Sequence, residues 1–190
     1  MRIPGRVFLT ACALALTGCL AGCTSPHADA APPKTPKPIP STTPVFTSDA
    51  DALAAATETY QAFLSASDAI GHDGGENPDR VDQYATPDVV EAERAQATKL
   101  KDARARSFGD TKISASSLQS VDQQGSDVIV TIYACEDLSD VDVRDDAGKS
   151  LIDPSRTDLV AYVVSVQGTS RGNLLVASNK FWYGGGVCGY

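Results

Sequence analysis

Six carboxylates crowd the eleven residues Glu136-Asp137-Leu138-Ser139-Asp140-Val141-Asp142-Val143-Arg144-Asp145-Asp146. Oxygen ligands at that density suit Ca²⁺, but the run lacks the sharp-turn Gly and the closing Glu of an EF-hand loop. No metal is assigned to it. As a strand, the run would put Asp140, Asp142 and Arg144 on one face, a solvated edge whose charges discourage aggregation. A second candidate is His72-Asp73, which lies in the glycine-rich stretch His72–Asn77. A His beside a carboxylate can act as a general base when geometry aligns the two. Neighbours on a loop rarely aim at one substrate atom, so the pair reads as solvated. A Gly-x-Ser-x-Gly elbow, a phosphate loop and a His pair at metal spacing are all missing from the sequence, so no catalytic residue and no cofactor is assigned.

Composition narrows the class. Of the 190 residues 42% are apolar and 21% charged, the ordinary range for a soluble globular chain. Lys and Arg number 16 against 24 Asp and Glu, a net charge of −8. Nucleic acid as a partner is excluded on that balance, because its binding needs clustered positive charge.

The N-terminus supplies an address. Residues 1–22 run from a basic start (Arg2, Arg6) through the apolar stretch Val7–Leu16 to small residues, the pattern of an export signal. Leu20-Ala21-Gly22-Cys23 resembles the lipobox of bacterial lipoproteins. That resemblance implies cleavage before Cys23 and a diacylglycerol on its thiol. Leu16-Thr17-Gly18-Cys19 also fits; Cys23 is preferred because it leaves a fuller apolar region. Two acyl chains on one residue suffice for stable attachment, so the expected location is the extracytoplasmic face of the cell membrane. Residues 23–47 hold seven of the eleven prolines and also His27. Such a segment reads as an extended tether, which at about 3.1 Å per residue reaches on the order of 70 Å. Residues 48–190 are left for one domain. Once the signal is removed and Cys23 acylated, Cys135 and Cys188 remain in an oxidising setting, where two thiols in one domain usually pair.

Within the domain, Ser48-Asp49-Ala50-Asp51 reads as a helix start. Leu53, Ala56, Tyr60, Phe63, Leu64, Ser67 and Ile70 recur at three and four, which predicts one apolar stripe on a helix ending at Gly71. Asn77-Pro78 and Thr86-Pro87 each predict a helix with Pro in its first turn, over Pro78–Tyr84 and from Pro87 to about Ser107. After Asp110 the period changes to two. Strands are predicted over Ile113–Val121, Val128–Cys135, Leu159–Gln167 and Leu174–Tyr183. Leu138–Arg144 is expected to continue the second, answered by Lys149–Ile152 across Asp146-Ala147-Gly148. Helices followed by an antiparallel meander are α+β, with the sheet curling over a helix.

With Tyr133-Ala134-Cys135-Glu136-Asp137, Val141–Gly148, Phe181-Trp182-Tyr183 and a final Cys188, this arrangement resembles the actinobacterial lipoproteins with a nuclear transport factor 2-like domain. The resemblance spans residues 48–190 and implies a cone-shaped curved sheet wrapped on N-terminal helices, with a disulfide near the chain's end. It implies no single activity. Cone-fold isomerases and dehydratases place Asp, Tyr or His inside the cone, so the candidates for a cavity here are Tyr60, Asp68, Tyr133, Tyr162 and Trp182, each with core packing or a rim position as its plainer role. The expected function is non-catalytic: a membrane-anchored extracytoplasmic lipoprotein that binds an envelope protein or a small apolar ligand. The alternatives are acid/base chemistry in the cavity and an accessory role in a cell-wall or secretion complex. Phe181–Gly186 reads either as an interface or as a last strand whose aromatics alternate between core and rim.

Overall fold

The computed structural model describes residues 43–184 and 186–189. The expected signal peptide, both candidate lipidated cysteines and the tether up to residue 42 lie outside the described residues. Helix α1 (Asp49–His72) begins where the sequence predicts, with Ser48 Oγ accepting the Asp51 N–H at 3.2 Å. Its buried stripe is rich in small residues, Ala52, Ala55 and Ala56, and continues through Tyr60, Phe63, Leu64 and Ile70. Four strands meet this stripe as one antiparallel sheet in the order β2 (Lys112–Gln124), β3 (Asp127–Asp137), β5 (Leu159–Gly168), β6 (Leu174–Phe181). Val128, Val130, Ile132 and Ala134 of β3, Val164 and Val166 of β5, and Leu174 and Val176 of β6 join α1 in a single core. Their period of two puts one apolar face against the helix, and the other meets solvent except around Cys135 and Ala161, which are buried. The molecule is therefore α+β.

Three elements depart from the sequence expectation, each for a local reason. Helix α2 (Pro87–Ala103) stops four residues before Ser107. Arg104 adopts a left-handed conformation, φ 49° and ψ 45°, and its N–H closes on the carbonyls of Leu100 and Lys101, a C-terminal stop that needs no glycine. The chain then forms β1 (Ala105–Phe108), paired with β4 (Asp142–Asp145) in a separate two-stranded sheet. So β4 does not extend β3. Lys149–Ile152 answers it only through one isolated bridge, Arg144 to Ser150, and the Asp145 N–H to Lys149 C=O and Leu151 N–H to Val143 C=O bonds.

The second predicted helix is reduced to a 3-10 turn, Pro78–Val81. Beyond it the backbone is drawn to the sheet edge, where Thr86 N–H donates to Val176 C=O and Tyr84 C=O accepts from Val176 N–H. The loop between α1 and this turn packs tightly on α2. At Gly75, φ is +87° and a Cβ would lie 2.2 Å from the Ala97 carbonyl oxygen, so only glycine fits there.

The folded body also begins upstream of Ser48. Phe46 is 5% exposed in the core, and its backbone N–H and C=O are both held by the Gln123 side-chain amide, at 2.9 and 3.0 Å.

Candidate functional site

One part of the apolar core is met by acids: Glu136 is buried there, and Asp68 and Glu93 stand half-buried near enough to act on its charge. Alternation along β3 turns Val128, Val130, Ile132 and Ala134 inward and carries Glu136 with them. Glu136 is 5% exposed and accepts a hydrogen bond from the hydroxyl of fully buried Tyr60 on α1. On β5, Tyr162 stands opposite Ala134, so it shares the inner face with Glu136. Two more carboxylates approach from other elements. Asp68, two turns along α1 from Tyr60, accepts from Thr111 N–H at 2.8 Å and Thr111 Oγ1 at 3.0 Å. Glu93, on α2, accepts from Ser67 Oγ at 2.7 Å. Among the described residues, no Lys, Arg or His forms an ion pair with any of the three.

Burial without a counter-charge decides their protonation. Loss of solvent disfavours a carboxylate, and it pushes Glu136 up to about 7, aided by the fields of Asp68 and Glu93 and opposed by the Tyr60 hydrogen bond. Burial likewise raises Asp68 and Glu93 above the usual range despite the donors each of them has. It also raises the phenols of Tyr60 and Tyr162, and the charge of Glu136 adds to both effects; the Asn179 amide near Tyr60 works the other way. Chemically the arrangement can store a proton near neutral pH. With Tyr60 at 0% and Glu136 at 5% exposure, it does so behind a packed wall.

Of the five cavity candidates, the structure places Tyr60, Asp68 and Tyr162 on this inner side. Tyr133 and Trp182 do not belong with them. Tyr133 lies one residue out of step with the inward set of β3 and therefore faces the opposite side of the sheet, where its ring meets that of Trp182 at 4.9 Å between centroids. The Trp182 ring also lies against Gly184, where a Cβ would come within 2.5 Å of it. On this outer side Cys135 is bonded to Cys188, with Cα atoms 5.2 Å apart, which holds the C-terminal segment beside the third strand of the chain.

His72 and Asp73 do not form a dyad. His72 Nε2 lies 2.7 Å from the Gly109 carbonyl oxygen and 3.9 Å from Asp110, while Asp73 pairs with Arg80. The outward members of the acidic run have partners too: Asp137 accepts from Ser139 N–H, Asp140 from Lys112 at 2.6 Å, and Asp142 from Arg144 at 2.7 Å and Ser150 at 2.6 Å. Among the described residues, no three His, Cys, Asp or Glu side chains are grouped to hold a metal ion. Sequence reading missed the inward roles of Glu136 and Glu93. The signal for Glu136 was available, since it keeps the parity of Val128, Val130, Ile132 and Ala134.

No family model matches the chain, and no curated protein matches it. Among solved structures it is similar to the intermembrane space region of the chloroplast protein ARC6, at 12% identity over 66% of this chain and 95% of that one, with a TM-score of 0.43. So distant a likeness carries no reading of fold or activity.

Proposed function

We propose that this chain is a lipid-anchored extracytoplasmic protein, with a domain of the nuclear transport factor 2-like cone class, that binds an envelope protein through its C-terminal aromatic end. The observation that carries the reading is where the chain enters and where its exposed aromatics lie. Phe46 enters beside Gln123, at the β2–β3 hairpin end of the sheet. Phe181, which ends β6, and Trp182 and Tyr183 after it, which are 59%, 39% and 97% exposed, lie toward the other end, about 20 Å away along the strands. Aromatics next to glycines, on a segment held by a disulfide, form a contact surface with little ordering cost. The lipobox-like Leu20-Ala21-Gly22-Cys23 and the proline-rich segment after it support anchoring. Among the described residues no helix is long and apolar enough to cross a membrane.

A second reading, proton-transfer catalysis, is favoured by one observation: Glu136 has an affinity for a proton near neutrality beside the Tyr60 hydroxyl. It requires the packed wall over the pair to open to a substrate.

Both parts of the leading proposal are tested in cells expressing the full chain. Labelled palmitate should be incorporated by the wild type and by Cys19→Ser, but not by Cys23→Ser. A photo-crosslinking residue at position 183 should give one adduct of defined mass in intact membranes, whereas the same residue at position 124 gives none. Absence of label from the wild type refutes the anchor. Equal adducts from both positions, or none from either, refute the aromatic end as the contact.

A further inference from the structure

A cleft of 550 Å³ opens between α1 and the β5–β6 loop, walled by Glu58, Thr59, Gln83, Tyr84, Arg171 and Leu174 among others. Its floor is apolar, since Leu174 is 7% exposed and the neighbouring Ala55 only 3%. Its rim carries two opposite charges from two different elements. Arg171, in the loop, meets Asp51 at 3.5 Å near the start of α1. Glu58 lies seven residues further along the same helix, about 10 Å in axial rise. Glu58 forms neither an ion pair nor a hydrogen bond with another described residue, and the Gln83 amide and Tyr84 hydroxyl likewise bond to no described residue. Arg171 has five N–H donors, and a single contact with Asp51 leaves most of its fork free.

We propose that this cleft binds a small zwitterion of dipeptide length, its carboxylate on Arg171, its ammonium on Glu58 and its aliphatic part on the Ala55–Leu174 floor. Charge selects the class. A simple anion drawn to Arg171 leaves Glu58 without a partner, and a simple cation drawn to Glu58 leaves the free donors of Arg171 unused, whereas a dipolar ligand satisfies both walls. The placement of the charges selects the length: Arg171 is drawn to Asp51, two turns of α1 away from Glu58 on the same face, which suits a ligand whose own charges are separated by a peptide unit. Gln83 and Tyr84 supply an amide and a hydroxyl for the central peptide group, the kind of sparse polar set that orients a ligand over an apolar floor. The site stands at the hairpin end of the sheet, away from the C-terminal aromatics, and does not depend on the function proposed for them.

The test is isothermal titration of the full chain with alanyl-alanine, N-acetyl-alanyl-alanine and alanyl-alanine amide. Alanyl-alanine should bind, and each blocked form should bind at least about ten-fold more weakly, the change expected from losing one charge-assisted hydrogen bond. Glu58→Gln should remove the discrimination against the acetylated form only, and Arg171→Gln the discrimination against the amide only. Both side chains are exposed and neither belongs to the core, so the variants should melt like the wild type, and thermal denaturation checks this. No heat with alanyl-alanine, equal affinity for all three ligands, or full discrimination retained in either variant would overturn the proposal.

Discussion

Glu136 shows how one position in a strand can reverse the meaning of a residue. Asp137, Asp140, Asp142 and Asp145 of the same run lie off the sheet's inner face and have donors or cations at hand, whereas Glu136 is turned against Tyr60 and feels the charges of two further carboxylates. The consequence is a definite pH dependence. The folded state binds a proton on Glu136 up to about pH 7, while the unfolded chain releases it near 4.5, the ordinary value for a glutamate. The folded state therefore holds more protons between these values, and stability must fall as pH rises from about 4.5 to 7 and level off above. Asp68 and Glu93, also raised, contribute with the same sign. For Glu136 the effect is at most about 3 kcal/mol. Glu136→Gln should flatten this part of the profile and stabilise the protein at pH 8 relative to wild type, while leaving little difference at pH 4. Urea midpoints across this range check it, and an unchanged slope in the variant would show that the proton is held elsewhere.

At the level of elements, the long outer edge of β2 is managed by side chains. Gln61 of α1 accepts from Ile113 N–H at 3.1 Å and donates to Thr111 C=O at 3.1 Å, so one amide stands in for a neighbouring strand. Gln123 does the same for Phe46 at the other end. Between them the edge carries register shifts at Ile113/Ala115 and Leu118/Ser120, bulges of the kind that discourage pairing with another chain. Gln61→Ala should destabilise the fold by about 1–2 kcal/mol, because two backbone groups lose their partner. Hydrogen exchange gives a sharper readout: the Ile113 amide should lose protection while those in the middle of β3 keep theirs. Uniform loss of protection, or none, would contradict a local clamp.

For the molecule as a whole, the start of the fold matters. Val45 packs on the core and Phe46 lies within it, so the boundary between tether and domain runs ahead of Ser48. A chain beginning at residue 43 should unfold at the same urea midpoint as one that begins at Cys23. One beginning at residue 48 should be less stable by about 3–5 kcal/mol, the usual cost of deleting a buried Phe. Equal stability of the two truncated chains would mean that Phe46 covers the core without contributing to it.

Local pattern carried the first helix, the four long strands, their antiparallel order and the Cys135–Cys188 pair, because each rests on information close in the chain or on elimination among few cysteines. The Ser48 cap and the period-two runs are of this kind. Long-range pairing decided the rest. Ala105–Phe108 became a strand because β4, more than thirty residues later, takes its backbone bonds. Tyr84–Thr86 left the helical path because Val176 offered a partner. Tyr133 and Tyr162 look alike in sequence, yet they face opposite sides of one sheet, since a single residue of register exchanges inside for outside. The acid cluster and the charged cleft were not legible for the same reason: Glu136 meets Tyr60 across 76 residues, and the cleft brings Arg171 to a helix that ends a hundred residues earlier. Only the tertiary fold sets such distances.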